Sequence, residues 1–278
     1  MKFARGLLMV VVPVFVVSLA AGAWAQAHRS SYRWEPGMQL RPIVFTAIVC
    51  FAAGLWVASF AGFREFLPGL LNGTVVTVQI TLGGAALAVV AALIAAMGKM
   101  YGPGPVRWLA VAYIETFRGT SALVQLFWLF FVLPHFGVRL DPVPVAILAL
   151  GLNVGAYGAE VVRGAVNAVP RGQWEATVAL NMTRVLALRR IILPQAFAAM
   201  IPPWGNLFIE LMKATSLVAL ISVSDLTFRA RQMNDITFRT IEIFTIVLVI
   251  YLAISIIITV AMRTLERYAA RGQRRGRA

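Results

Sequence analysis

The sequence predicts an all-helical protein that crosses a membrane several times. Of its 278 residues, 60% are hydrophobic and only 13% are charged, whereas a soluble domain has about 25% charged residues. Apolar runs of roughly 20 residues recur along the chain, and each is long enough to cross about 30 Å of hydrocarbon as a helix. The mean hydropathy is +0.82. These observations indicate an all-α polytopic membrane protein.

The formal net charge of +14 could also indicate nucleic-acid binding. The basic residues, however, lie between the apolar runs and in the C-terminal tail, without interleaved aromatic residues. This distribution is typical of the cytoplasmic ends of membrane helices. We therefore expect membrane lipid, and not nucleic acid, to be the partner of these charges.

Residues for metal or nucleotide chemistry are missing from the sequence. Cys50 is the single cysteine, which excludes an intrachain disulfide and a cysteine metal cluster. His28 and His135 lie far apart and lack the spacing of metal ligands. The chain also lacks the Gly-rich loop ending in Gly-Lys-Ser/Thr that cradles nucleotide phosphates. The sequence predicts no metal, no cofactor and no catalytic residue.

The first 37 residues form an N-terminal extension whose nature the pattern leaves open. Lys2 and Arg5 precede an apolar run from Gly6 to Ala23, which fits a cleaved signal peptide as well as a membrane helix. A basic linker follows this run. Met38 comes directly before the next apolar run, so the first 37 residues could also be a misassigned start.

Six membrane helices are predicted after residue 37, each from an apolar run bounded by polar residues, Gly or Pro. The first is an extra helix within residues 38–66. The other five form a core domain, 67–268, and a basic tail follows at 269–278. The helices are predicted at Pro42–Gly62, Leu70–Met97, Trp108–Leu133, Val143–Val162, Ile201–Val223 and Ile241–Met262.

The positions of lysine and arginine predict the orientation of these helices. With the tail placed inside and the helices alternating backwards from it, the inside segments hold sixteen of these residues and the outside loops hold five. Cytoplasmic loops carry such an excess. The C-terminal tail and the loop at 169–195 are therefore predicted to be cytoplasmic.

A basic island at 169–195 is predicted to form two short helices with a bend between them. Trp174 and Val178 fall on one face of the first helix. Asn181 is expected to take the left-handed conformation that ends a helix, as Asn does most often after Gly. Thr183 is expected to cap the second helix, and Pro194 to mark its exit.

The island resembles the cytoplasmic coupling loop, or EAA loop, of binding-protein-dependent ABC importer permeases. The family pattern is Glu-Ala-Ala, a Gly six residues after the Glu, and later a hydrophobic pair with Pro. Here Asn181 stands in the place of the Gly. The resemblance implies that ABC ATPase subunits dock on this loop through Glu175, Ala176, Thr177, Asn181, Leu193 and Pro194. The alternative is an amphipathic loop held on anionic lipid by its arginines.

Four further motifs resemble the polar amino-acid (histidine/glutamine-type) family of these permeases. They are Leu71-Asn72-Gly73-Thr74, Glu115 to Thr120 with Leu123-Val124-Gln125, Ala156 to Glu160 with Arg163-Gly164, and Lys213 to Leu217. Within the family, Ser121, the run from Gly151 to Glu160, Asn181 and the run from Pro202 to Leu207 are most similar to ectoine/hydroxyectoine permease subunits. A general polar amino-acid permease is the alternative.

The resemblance implies the fold and the partners. It implies a type I ABC importer permease fold, with five core transmembrane helices plus one or two N-terminal segments. The chain would lie in the bacterial inner membrane and pair with a second permease subunit, as a homodimer or a heterodimer. It would receive solute from an extracytoplasmic binding protein and leave ATP hydrolysis to a separate subunit. A less favoured alternative is an ion-driven secondary transporter, which typically shows inverted repeats.

Ionisable residues within the predicted spans are expected either to line the translocation path or to brace the bundle. A charge at mid-bilayer costs about 2.5–3.5 kcal/mol. Glu115 with Arg118, and Glu210 with Lys213, are three residues apart, so each pair is expected on one helix face as an ion pair. The path hypothesis names Glu115, Arg118, Gln125, Asn153, Glu160, Lys213, Thr215 and Ser216. For Glu160, bracing of the coupling loop is an equal alternative.

Overall fold

The computed structural model describes residues 62–275, with side chains from residue 65 to residue 269. Within that range the chain forms helices and short turns, and no β-strand occurs. The α-helices, numbered here in chain order, are α1 (Gly62–Tyr101), α2 (Gly104–Gly119), α3 (Ala122–Phe127), α4 (Pro142–Asn167), α5 (Arg171–Ala179), α6 (Arg184–Ala187), α7 (Leu193–Ala214), α8 (Leu226–Thr237) and α9 (Thr240–Arg275).

The predictions for the N-terminal extension, 1–37, lie outside the described residues. The extra helix predicted within 38–66 also lies outside the described residues, apart from the residues that begin α1. The end of the tail, 276–278, lies outside them as well. Helix α1 begins at Gly62, eight residues before the predicted Leu70. It continues through Pro68, and Glu65 in its first turn suits the positive end of the helix dipole.

Four described helices are long and apolar enough to cross a membrane: Glu65–Tyr101, Pro142–Asn167, Arg184–Ile221 and Thr240–Ala269. A fifth span is possible if α2 and the helical segment Ala122–Phe136 count as one broken span, since they meet at 107°. The sequence predicted one continuous helix over Trp108–Leu133, and that prediction was wrong. Thr120 and Ser121 have extended backbones and end α2 there.

The predicted helix Ile201–Val223 also differs from the structure. Helix α7 starts at Leu193, earlier than predicted, and passes through Pro202 and Pro203. It then tightens into a 3₁₀ turn from Thr215 to Ile221. The predicted start at Ile201 lies beside this proline pair, but neighbouring turns in a membrane bundle can accommodate the missing backbone hydrogen bonds, and the helix continues through both prolines.

The described residues divide into two compact units. One consists of 62–69 with 233–256, and in it Arg239 lies 3.5 Å from Glu65 and 2.7 Å from Glu242. The other consists of 70–232 with 257–275 and contains the main hydrophobic core. All of the site residues discussed below belong to this larger unit.

The core of the larger unit depends on small residues that let helices approach closely. At Gly158 of α4, a Cβ atom would lie 2.5 Å from the ring of Trp204 on α7. At Gly155, it would lie 2.8 Å from the hydroxyl of Tyr113. Small residues at helix contacts are the usual device for close packing in membranes. They hold α2, α4 and α7 together around the candidate site.

Candidate coupling surface and translocation path

The bend between α5 and α6 has the geometry that the sequence predicted. Asn181 has a φ of 52°, so the prediction of a left-handed residue is confirmed. Its N–H donates to Val178 O at 2.9 Å, and the next N–H, of Met182, donates to Thr177 O at 3.0 Å. This pair of bonds is the Schellman arrangement, which satisfies carbonyls left open at the end of a helix.

Thr183 caps α6, as predicted: its hydroxyl oxygen accepts a hydrogen bond from Leu186 N at 3.4 Å. The predicted exit at Pro194 was wrong. A π turn from Leu188 to Ile192 follows α6 and leads directly into α7, so Pro194 falls in the first turn of α7. Pro is tolerated there because the first N–H groups of a helix have no intrahelical partner.

An open groove of about 660 Å³ lies at the bend. The apolar face that was predicted for α5 lines it, together with the end of α1 and parts of α6. Its residues are Tyr101, Trp174, Glu175, Thr177, Val178, Ala179, Met182, Arg184, Ala187 and Leu188. The groove is therefore largely apolar, with one exposed acid and one exposed base at its edge.

The predicted coupling residues differ in what they can offer to a partner. Glu175 and Ala176 are exposed, whereas Thr177 is 2% exposed and its hydroxyl donates to Trp174 O at 2.7 Å. Leu193 packs against the core, and Pro194 is exposed. Glu175 is thus free to contact a docked protein, and Thr177 instead stabilises α5 from within.

A charged cluster joins α1 to α4. Lys99 Nζ lies 2.7 Å from Glu160 Oε1, and Arg163 donates to Glu160 Oε2 through Nε at 2.8 Å, with its NH2 group 2.7 Å from the same oxygen. Glu115 on α2 lies 3.9 Å from Lys99. Lys99 lies in the last turn of α1, beyond the predicted helix end at Met97, and was not among the predicted path residues. Only the proximity of a lysine to a predicted helix end could have pointed to it.

The side-chain amides of Asn153 and Gln125 form hydrogen bonds at the break between α2 and α3. Asn153 of α4 donates to Phe117 O at 3.0 Å and to Gln125 Oε1 at 3.1 Å. Gln125 donates to the same Phe117 carbonyl at 2.9 Å and to Thr120 Oγ1 at 2.6 Å. The carbonyl left open where α2 ends is satisfied in this way, as a non-aqueous environment requires.

The predicted ion pairs at three-residue spacing were wrong. In the described part of the chain, no carboxylate lies within 4.0 Å of Arg118 or Lys213. The Arg118 guanidinium instead lies 5.4 Å from the ring centroid of Tyr157, a cation–π contact. The three-residue spacing allows both ion pairs, but these side chains are exposed and adopt rotamers that keep the charged groups apart.

The last predicted path residues lie where α7 ends. Thr215 is fully buried and donates to Met212 O at 2.7 Å, so its hydroxyl faces the core. Ser216 donates to Lys213 O at 2.9 Å. Lys213 is exposed. Of these three, Lys213 has the most accessible polar group.

The motif Leu71-Asn72-Gly73-Thr74 has a packing role that its sequence did not show. A Cβ atom at Gly73 would lie 2.7 Å from Asp225 O, and Thr77 Oγ1 accepts a hydrogen bond from Leu226 N at 3.2 Å. Asp225 is fully buried, and its Oδ1 accepts from Phe228 N at 2.8 Å. This part of α1 therefore seats the start of α8.

Comparisons with known proteins place the chain in one family. The model of the binding-protein-dependent transport system inner membrane component family matches residues 84–271. A probable amino-acid ABC transporter permease protein of Sinorhizobium fredii is 44% identical over 220 residues, which cover 76% of this chain and 92% of that protein. The L-cystine transport system permease protein of Bacillus subtilis is 41% identical, covering 75% and 91%.

The glutamine transport system permease protein of Escherichia coli is 36% identical, covering 72% of this chain and 93% of that protein. Among solved structures, an amino acid ABC transporter crystallised with histidines matches with a TM-score of 0.71 and 32% identity, over 75% of this chain and 98% of that one. The MetNI methionine ABC transporter matches in fold, with a TM-score of 0.64 at 19% identity, over 74% and 98%. These matches confirm the predicted permease fold.

Proposed function

Because the chain belongs to the family of binding-protein-dependent transport system inner membrane components, we propose that it is the permease subunit of an ATP-driven importer for a polar amino acid. It would form the translocation path, and a separate subunit would hydrolyse ATP. Its relatives are permease proteins of transport systems. The chain is accordingly a multi-pass inner-membrane transport subunit and not an enzyme.

The observation that carries this proposal is the groove at the bend of the coupling loop. Trp174, Val178 and Met182 give it an apolar lining, and Glu175 stands exposed at its edge. An apolar groove rimmed by charge is typical of a protein interaction site. An ABC ATPase subunit that docks here would engage Glu175 and Ala176 directly, while Asn181 fixes the angle of the bend.

The substrate is proposed from the relatives and from the motifs. Relatives named for glutamine and cystine support a polar amino acid. Ectoine or hydroxyectoine is the second candidate, favoured by the resemblance that Ser121, Asn181 and the Pro202-Pro203-Trp204 run carry. Both kinds of solute combine a carboxylate with a cationic group, so both need donors and acceptors in the path.

Among the predicted path residues, Glu115, Arg118, Lys213 and Ser216 remain our candidates for contact with solute, because their side chains are exposed or half-buried. Gln125, Asn153, Glu160 and Thr215 make hydrogen bonds within the bundle. We propose that these four shape the path by positioning α2, α4 and α7.

The assembly would contain two permease subunits, from one gene or two, with ATPases on the cytoplasmic side and a solute-binding protein on the other. The excess of Lys and Arg in the tail and in the coupling loop supports a cytoplasmic C-terminus. Lipid would cover the remaining apolar helix faces.

Uptake of labelled L-glutamine, L-cystine, L-arginine and ectoine by cells that express the complete importer tests the function. We expect uptake of at least one amino acid that stops when the ATPase gene is deleted. Uptake that persists without the ATPase but stops with a protonophore would contradict the proposal and favour an ion-driven transporter. Binding of ectoine but no amino acid by the purified binding protein would move the substrate to the second candidate.

A further inference from the structure

We infer that Glu210 and Lys213, on the exposed face of α7, form a subsite that binds both charged ends of one zwitterionic α-amino acid. Glu210 would accept hydrogen bonds from the α-ammonium group, and Lys213 would donate to the α-carboxylate. This inference rests on the proposed function and specifies which part of the amino acid the permease itself recognises.

The two residues belong to one stripe along α7. Pro202, Asn206, Glu210 and Lys213 are all exposed, at intervals of four, four and three residues. Such intervals place side chains one above the other on a single helix face. The other side of the helix carries the buried residues, among them Trp204 and Leu211. Three of the four residues, Asn206, Glu210 and Lys213, are polar although they lie within the candidate span Arg184–Ile221.

Glu210 and Lys213 also differ from Glu160 in having no charged partner among the described residues. Glu160 is held by Lys99 and Arg163, and Arg118 lies over the Tyr157 ring. For Glu210 and Lys213, no ion pair within 4.0 Å exists among residues 65–269. A charge in a membrane span has to be paired or face water, so these two charges either face a water-filled path or meet a partner outside the described chain.

The fold of α7 does not account for the acid. Lys213 lies in the last turn of α7, where a cation is favoured by the helix dipole. Glu210 lies one turn before the same end, where a negative charge is disfavoured. An acid in this place stabilises neither its own helix nor a described neighbour. Its charge is therefore available for an external cation.

The arrangement suits a zwitterion better than a second copy of the chain. Side chains three residues apart on a helix are about 5–6 Å apart at Cβ, so both can reach the two charged groups that an α-amino acid carries on one carbon. In a symmetric pair of permeases, equivalent residues would lie at the same depth in the membrane. A second copy would thus bring Glu210 towards Glu210 and Lys213 towards Lys213.

Binding to the permease without its binding protein tests this inference. The permease would be purified with its ATPase in nanodiscs, and binding of labelled L-glutamine, L-arginine and L-cystine would be measured. The variants are Glu210→Gln and Lys213→Gln, and the matched controls are Asp235→Asn and Arg231→Gln, which remove exposed charges from α8 outside the spans. ATPase activity of each complex would show that the variants assemble.

For whichever amino acid the wild type binds, each α7 variant is expected to bind about tenfold or more weakly, since each loses a charge-assisted hydrogen bond. The controls should bind as the wild type does. N-acetylation of the ligand, which removes the ammonium, should weaken binding to the wild type but have less than about a twofold effect on Glu210→Gln. Conversion of the α-carboxylate to an amide should have the corresponding small effect only on Lys213→Gln.

Two results would overturn the inference, and they separate it from the proposed function. In the first, the importer takes up an amino acid but the α7 variants bind it as tightly as the wild type does, or both modified ligands still bind each variant as weakly as they bind the wild type. The subsite is then wrong and the proposed function stands. If the wild type neither binds nor takes up any of the three amino acids, the proposed function fails and the subsite fails with it.

Discussion

Lys99 Nζ and Glu160 Oε1 lie 2.7 Å apart and join two helices across 61 positions of sequence. Their side chains are 23% and 19% exposed, so the pair is mostly shielded from water. Arg163 binds the second oxygen of the same carboxylate. Glu160 therefore holds two cations at once, at the end of the bundle that leads into the coupling loop.

The coupling between Lys99 and Glu160 can be measured with a double-mutant cycle. Lys99→Met or Glu160→Gln alone is expected to lower the free energy of unfolding by about 1.5–3 kcal/mol, because each leaves a charged partner poorly satisfied. The double variant should lose clearly less than the sum of the two. Strictly additive losses, measured by denaturation of the purified protein, would show that the two side chains do not interact.

The same cycle separates bracing from contact with solute. If Glu160 only positions α4, Lys99→Met should reduce uptake about as much as Glu160→Gln, and both variants should still bind solute. A loss of solute binding that is confined to Glu160→Gln would instead place this carboxylate in the path.

The bend of the coupling loop is tested at Asn181, whose φ is 52°. Asn181→Gly should keep ATPase coupling and uptake, because Gly adopts this conformation without strain. Asn181→Val should cost about 1–2 kcal/mol locally and reduce solute-stimulated ATP hydrolysis. Equal uptake by the two variants would mean that the angle of the bend is unimportant for coupling.

The seat of α8 on α1 is tested at Gly73. Gly73→Ala places a methyl group 2.7 Å from the Asp225 carbonyl oxygen, and backbone atoms cannot move aside as a flexible side chain can. We expect a destabilisation of about 1–3 kcal/mol, measured as a lower thermal midpoint. Gly104→Ala is the control, because nothing lies within 4 Å of that position; it should be neutral or slightly stabilising.

Asp225 should make the stability of the protein depend on pH. Burial raises the pKa of its carboxyl from 3.8 to about 6, so the folded protein holds this proton more tightly than the unfolded chain does. Its contribution to stability therefore falls as the pH rises from about 4 to about 6 and then stays constant.

Asp225→Asn removes this dependence and keeps an oxygen that can accept from Phe228 N. Relative to the variant, the wild type should lose a few degrees of thermal midpoint between pH 4.5 and pH 7.5. Parallel midpoint curves for the two proteins would contradict the assignment of this titration to Asp225.

The sequence could predict features that depend on neighbours along the chain. The four long apolar helices among the described residues follow from apolar run length, and the bend at Asn181 and the cap at Thr183 follow from local backbone chemistry. The break after Gly119 was missed, because the polar residues Arg118 to Ser121 were included in one predicted helix. Its stability depends on Asn153, 36 positions away from the Phe117 carbonyl that it satisfies.

In the candidate path, residue spacing along one helix did not predict which partners the side chains contact. Three-residue spacing correctly allowed Glu115 and Arg118 on one face, but it could not show that Tyr157 attracts the guanidinium. Nor could it show that Thr215 turns inward while Lys213 turns outward. Such choices depend on which helices pack against each side, and these contacts are distant in sequence.

The uninterrupted helical course from Arg184 to Ile221, 38 residues long, has a mechanical consequence. Because the π turn before Pro194 replaces the expected exit, α6 of the coupling loop and the polar stripe of α7 belong to one helical run. Arg184 and Lys213 lie roughly 44 Å apart along it at 1.5 Å per residue. If this run moves as a rigid body, a tilt of about 5° about its Arg184 end would displace Lys213 by roughly 4 Å, more than the length of a hydrogen bond.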